Sequence, residues 1–156
     1  MNHSDNKKTL KISAEDFWHF SCELYSKNEL YLKDGQVYSL LELQNKFNKN
    51  VNICLLMLYL DNLNISINLE ILSKLISTIT DFENSYLLPL RALRLRLKAQ
   101  ESNISLYAKM RKTLLESELL MEQHQQSQLI NALNNYETSP TKDIDNLQLY
   151  LNFNMA

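Results

Sequence analysis

The chain has 156 residues, the size of one domain, with 45% hydrophobic and 22% charged residues and a formal net charge of −2 at pH 7. One glycine and two prolines exclude hairpin-rich sheets and glycine-rich phosphate loops, so no GxGxxG or Walker-type motif can be written. The slightly acidic balance also sets the chain apart from dedicated nucleic-acid binders, and nucleic acid is not an expected partner.

Residues 1–12 are polar and lysine-bearing and read as a flexible leader without a secretory signal; residues 13–156 read as a single helical domain expected in the cytoplasm. Ser13-Ala14-Glu15-Asp16 has the form of a capping box, with Asp in the reciprocal place, and opens a first helix to about Lys27. Phe17, Phe20, Cys22 and Leu24 face its inner side, with Trp18 and Tyr25 on a second stripe. Asp34-Gly35 is the clearest turn signal, after which Val37, Leu40, Leu41, Leu43, Gln44 and Phe47 trace a second amphipathic helix. Asn50 caps a third helix through Leu60 that is apolar on almost every side and so forms the buried centre. Its apolar run, residues 51–60, is about half the ~20 residues a membrane span needs, and no membrane association is expected. Asp61-Asn62-Leu63-Asn64 reads as a loop, and Asn68 caps a fourth helix with Leu69, Leu72, Leu75, Ile76 and Ile79 inside.

Thr80-Asp81-Phe82-Glu83 has the form of a second capping box, and the helix it opens meets Pro89. Proline lacks an N–H and crowds the Ser85 carbonyl, so either the helix kinks or a new one begins with Pro89 at its first position. Beyond it, Leu90, Leu93 and Leu97 fall on one stripe and Arg91, Arg94 and Lys98 on the next, with Leu95 on the far flank. Cations wedged between leucines need anions, supplied by this protein or by something it binds. After a break at Ser102-Asn103 a long helix runs to about Tyr136, with Tyr107, Met110, Leu114 and Met121 on a core face. Residues 122–128 are polar all round, the mark of a solvent-bridging helix, so this helix is expected to project past the bundle as an arm. Ser139-Pro140 ends it, and residues 144–153 supply a short final helix. The expected architecture is all-α, a single-domain bundle of six or seven helices around a buried central helix, with a long C-terminal helix.

Charge is unevenly spread: residues 91–112 carry +6 and residues 113–156 carry −5. Glu118 and Glu122, four apart on one helix face, are ready partners for Arg91, Arg94 and Lys98. Metal chemistry lacks its ligands, because His124 is preceded at the i−3 position by Met121 rather than a carboxylate, and His3 and His19 have no spaced partner. Cys22 and Cys54, without a CxxC spacing, read as small core residues. No nucleophile elbow or cysteine–histidine arrangement exists, so no catalytic residue, metal or cofactor is expected.

An ordered set of residues is more distinctive than any single motif. It comprises Phe17-Trp18-His19-Phe20-Ser21 with Leu24-Tyr25, Leu43-Gln44, Val51-Asn52, Pro89-Leu90-Arg91-Ala92-Leu93-Arg94 with Leu97-Lys98, and the Glu118 and Glu122 region. This set resembles a family of small all-helical proteobacterial proteins of unknown function, over roughly residues 14–130. The family tends to carry tryptophan where Tyr59 and Phe82 stand, and paired arginines where this chain reads Arg94-Leu95. The resemblance implies a fold but no activity.

The expected function is a non-enzymatic cytoplasmic interaction or regulatory module. Its basic 91–112 face, or its long helix, would meet an acidic protein partner or a second copy of the chain. The alternative is a pocket for a small anionic ligand lined by Arg91, Arg94, Lys98, Gln44 and Trp18. Gln44 and Asn52, polar on largely apolar helices, are candidates for interior hydrogen bonding or for that pocket. Glu118 completes the set of candidate binding residues.

Overall fold

Ser13 is in extended conformation and its hydroxyl accepts the Asp16 N–H at 3.2 Å, which starts helix α1, Ala14–Tyr25. The computed structural model describes residues 8–9, 11–27, 30–31, 35, 37–138 and 145–154, and the expectations for 1–7, 10, Asp34, Ser139-Pro140 and Ile144 lie outside them. Within the expected leader, strand β1, Lys8–Thr9, pairs antiparallel with Glu137–Thr138, and the Ile12 backbone exchanges two hydrogen bonds with the Asn134 amide. Cys22, expected inside, is exposed.

The second helix begins later than its apolar spacing predicts. Val37–Tyr38 is extended and pairs with Leu30–Tyr31, and Gly35 between them has φ +82°, the left-handed conformation that glycine adopts most easily. Helix α2, Leu40–Phe47, starts at a full capping box in which the Ser39 hydroxyl accepts from Glu42 and the Glu42 carboxylate accepts from the Ser39 N–H. That box, missed in the sequence, won over the apolar repeat at Val37.

Helix α3, Val51–Asn62, is capped by Asn50, whose side chain accepts the Ile53 N–H at 3.0 Å. It carries the centre of the core: Ile53, Cys54, Leu55, Leu56, Met57 and Leu60 are each at most 1% exposed. The helix continues through Asp61 and Asn62, which were expected in a loop. Asp61 earns its helical place as a cap for another element, because its carboxylate accepts the backbone N–H groups of Asn146 and Leu147 at 2.7 and 3.4 Å.

Helix α4, Leu69–Phe82, is capped by Asn68 and buries Ile71, Leu72, Leu75 and Ile79. It does not break at Thr80. The Thr80 hydroxyl donates back to the Ile76 carbonyl, the alternative open to a threonine inside a helix, and the expected capping box does not form. The chain instead runs on through a π-helical turn, Glu83–Leu87, into helix α5, Leu88–Ala99. Pro89 falls in the first turn of α5, where its missing N–H costs least, and the Leu88 N–H reaches the Glu83 carbonyl five residues back. The chain thus meets Pro89 with a widened turn followed by a helix that starts one residue before the proline.

A 3-10 turn, Glu101–Asn103, leads to helix α6, Tyr107–Leu133, which is 27 residues and about 40 Å long. Helix α7, Asn146–Leu151, is capped by Asp145 and packs on α3 through Leu147 and Tyr150. Seven α-helices and two short strand pairs thus make up the described residues, an all-α bundle around α3. Tyr59, where the resembled family carries tryptophan, packs its ring against Phe17 and Phe20 at centroid distances of 5.5 and 4.9 Å.

The expected arm is overturned. Gln125 and Gln126, in the all-polar stretch of α6, are each 1% exposed, and Leu129, Ile130 and Leu133 beyond them join the core. The less covered part of α6 is its other half, since no residue from 108 to 117 is buried.

Candidate functional site

Gln125 and Gln126 in the polar stretch of α6 are buried where other helices supply partners to their side chains, although Gln126 Oε1 and Gln128 Oε1 have none among the described residues. Asn52 on α3 donates to Gln125 Oε1 at 2.8 Å and to the Glu122 carbonyl at 3.3 Å, and accepts from Gln126 Nε2 at 3.1 Å. Gln126 Nε2 also donates to the Ser21 hydroxyl on α1, which in turn donates to the Phe17 carbonyl. Gln125 Nε2 donates to Glu83 Oε2 at 2.8 Å. A buried amide left unpaired costs about 1–3 kcal/mol, so the network specifies how α1, α3, α6 and the π turn fit together.

Glu83 links this network to the cations. Arg91 Nη1 lies 3.4 Å from Glu83 Oε1, and Arg91 Nη2 lies 3.0 Å from Glu122 Oε1. In an unbroken α-helix, residues eight apart diverge by roughly 80°. The π turn holds one extra residue, so Glu83 and Arg91 act as though seven apart, two full turns, and share a face. Helices α5 and α6 then run antiparallel, with Arg91 meeting Glu122 and Arg94, one turn on, meeting Glu118 one turn earlier. The Arg94 Nε–Glu118 Oε1 contact is 2.7 Å, and the Glu118 side chain is 8% exposed.

Desolvation is the main force on Glu122, and its carboxyl is held above the ordinary 4.5; Arg91 opposes this while Glu118 and Glu83 add to it. The Tyr25 hydroxyl is likewise pushed above the usual phenol range, first by desolvation and then by Glu122. The Cys54 thiol is pushed up to about 12 by burial.

The Arg91–Glu122 and Arg94–Glu118 pairs floor a cleft of about 570 Å³ between α1, α2, α5 and α6, whereas Glu83 lines the neighbouring cleft on the other side of Arg91. Trp18, Gln44, Arg91, Arg94 and Glu118, all candidates from the sequence, line it. Asn52 lies behind it in the buried network. Lys98 is the exception: it is exposed, does not line the cleft, and has no ion pair among the described residues. Gln44, a candidate for interior bonding, is half-buried at the cleft wall and makes no side-chain hydrogen bond among the described residues. Sequence reasoning missed Glu83, Ser21, Gln125 and Gln126 as members of the site. Pro89 was the available signal for Glu83.

A second cleft of about 520 Å³ lies on the other side of Arg91, with Lys49 at its edge. Lys49 donates to the Phe153 carbonyl at 2.7 Å and sits 4.8 Å from the centre of the Tyr150 ring. Among the described residues no group of His, Cys, Asp and Glu could hold a metal ion, and no helix is long and apolar enough to cross a membrane.

A family model described as a protein of unknown function (DUF2390) matches residues 16–129, which contain every member of the network and of the ion-pair chain. No curated protein and no solved structure matches the chain.

Proposed function

The chain belongs to the DUF2390 family of proteins of unknown function, and from its surface chemistry we propose that it is a non-enzymatic cytoplasmic interaction module. The far end of α5 and the near half of α6 dock an acidic, amphipathic segment of a protein partner. One observation carries this reading: apolar side chains and unpaired cations share that end of the molecule. Leu95 and Leu106 are 57% and 56% exposed, and Leu97, Leu106, Met110 and Leu114 line a shallow groove between the helices. Arg96, Lys98, Lys109, Arg111 and Lys112 are exposed nearby, none with an ion pair among the described residues. Exposed apolar groups beside unneutralised charge of one sign suit a partner of opposite charge with its own apolar face.

The reading as a pocket for a small anionic ligand has weaker support. The guanidinium groups of Arg91 and Arg94 are already opposed by Glu83, Glu118 and Glu122, and Lys98 lies outside.

The test is cross-linking and affinity capture from the native host with the wild type and a Lys98→Glu/Lys109→Glu/Arg111→Glu variant. These side chains are exposed and make no hydrogen bond or ion pair among the described residues, so the melting temperature should change little while a salt-sensitive partner is lost. Capture of the same set by both proteins contradicts the proposal. Light scattering on the purified chain separates a foreign partner from self-association.

A further inference from the structure

Resting on the docking end proposed for α5 and α6, we infer that its occupant is a single α-helix laid in the groove as a third helix. That helix is apolar along one face and acidic along its flanks.

The hydrogen-bonding state of the surface decides the conformation. The groove of about 340 Å³ is lined by Leu97 on α5 and by Leu106, Met110, Thr113 and Leu114 on the other wall, with Lys109 beside them. Both walls are helices, which spend their backbone groups internally except at their ends, and the Thr113 hydroxyl already donates to the Lys109 carbonyl. An extended segment laid here would cover its own N–H and C=O groups without backbone partners to take them up. A helix arrives with those bonds already made.

Spacing and relief agree. Leu106, Met110 and Leu114 recur every four residues, a step of roughly 6 Å along the axis, which is the row that helix-on-helix packing uses. Leu97 and Leu114 are half-buried between the helices, while Leu106 and Met110 are 56% and 42% exposed. A ridge of side chains reaches into such a recess, whereas a lipid surface engages side chains that protrude.

Charge selects among helices. Residues 95–117 carry Arg96, Lys98, Lys109, Arg111 and Lys112 against Glu101 and Glu116, and none of the seven is in an ion pair among the described residues. Two copies meeting face to face through this end would oppose like charge, so a symmetric dimer is not the occupant. Acidic flanks on a foreign helix meet the excess cations instead.

The test uses a designed peptide of ~15 residues, about four helical turns, with leucines spaced three and four apart, glutamates beside them and alanine and glutamine behind. Its controls are a scrambled isomer of identical composition and phosphatidylglycerol vesicles, with binding read by fluorescence anisotropy and circular dichroism. The patterned peptide should bind at least about tenfold more tightly than its isomer and gain helicity on binding. Leu106→Gln/Met110→Gln alters two exposed side chains, so it should abolish that preference while the melting temperature stays nearly unchanged. Equal binding of the two isomers, binding of neither, bound peptide without gained helicity, or tighter binding to vesicles overturns the inference. A dimer formed through this end does the same. The Lys98→Glu/Lys109→Glu/Arg111→Glu variant keeps the two readings apart: if it loses its captured partner while the isomers bind the wild type alike, the docking end stands and the helical occupant does not.

Discussion

Glu122 holds its proton more tightly in the fold than a free glutamate does, because desolvation outweighs the nearby Arg91. The consequence for stability has a definite sign. A carboxyl with a raised folded pKa favours the folded state fully below its ordinary value of 4.5, and that advantage is lost as pH rises from there through the raised value. Glu122→Gln holds the group neutral and keeps an oxygen for Arg91. Its stability relative to the wild type should therefore improve as pH increases across that window and level off above it. Urea unfolding midpoints from about pH 4 to 8 measure this, and a flat or opposite trend contradicts the assignment. Asn52 was recognisable as a buried amide from its apolar helix, but its partners Gln125 and Gln126 were not. A glutamine on an all-polar stretch looks solvated until another helix is brought against it.

The proline-led helix carries its cations in two regimes. Arg91 and Arg94 meet carboxylates and are largely covered, whereas Lys98, one turn later, is exposed. Arg91→Ala leaves Glu83 and Glu122 facing each other without their shared cation, which should cost about 3 kcal/mol. Lys98→Ala should stay within about 0.5 kcal/mol. Chemical denaturation of the two variants checks the contrast, and equal losses would mean that the stripe acts as one unit. The leucine and cation stripes were plain from spacing alone. The π turn that turns Glu83 toward Arg91 was not, since it answers Pro89 and the local packing together. Thr80 and Val37 make the same point in smaller ways: the first had the form of a cap and became helix interior, the second had helical spacing and became strand.

Across the molecule, cover is strongest around α3 and thins toward the α5–α6 end. Leu55, Leu56, Met57, Leu72, Leu129 and Leu133 are fully buried, while residues 108–117 of α6 include none that is buried. Native-state hydrogen exchange should therefore find the amides of α3 and of residues 125–133 among the slowest. Those of residues 108–117 should exchange markedly faster although they lie on the same helix. Uniform protection along α6 would contradict this gradient and remove the reason to regard that end as a free surface. Apolar spacing, glycine scarcity and the caps Ser13, Asn50 and Asn68 were enough for an all-α domain with a buried third helix, because those are local properties of the chain. Which end of the long helix is covered, which cations find carboxylates and which glutamines enter the interior depended on neighbours far away in sequence. A polar group's place is set by whether another element brings it a partner, and that partner is written nowhere near it in the chain.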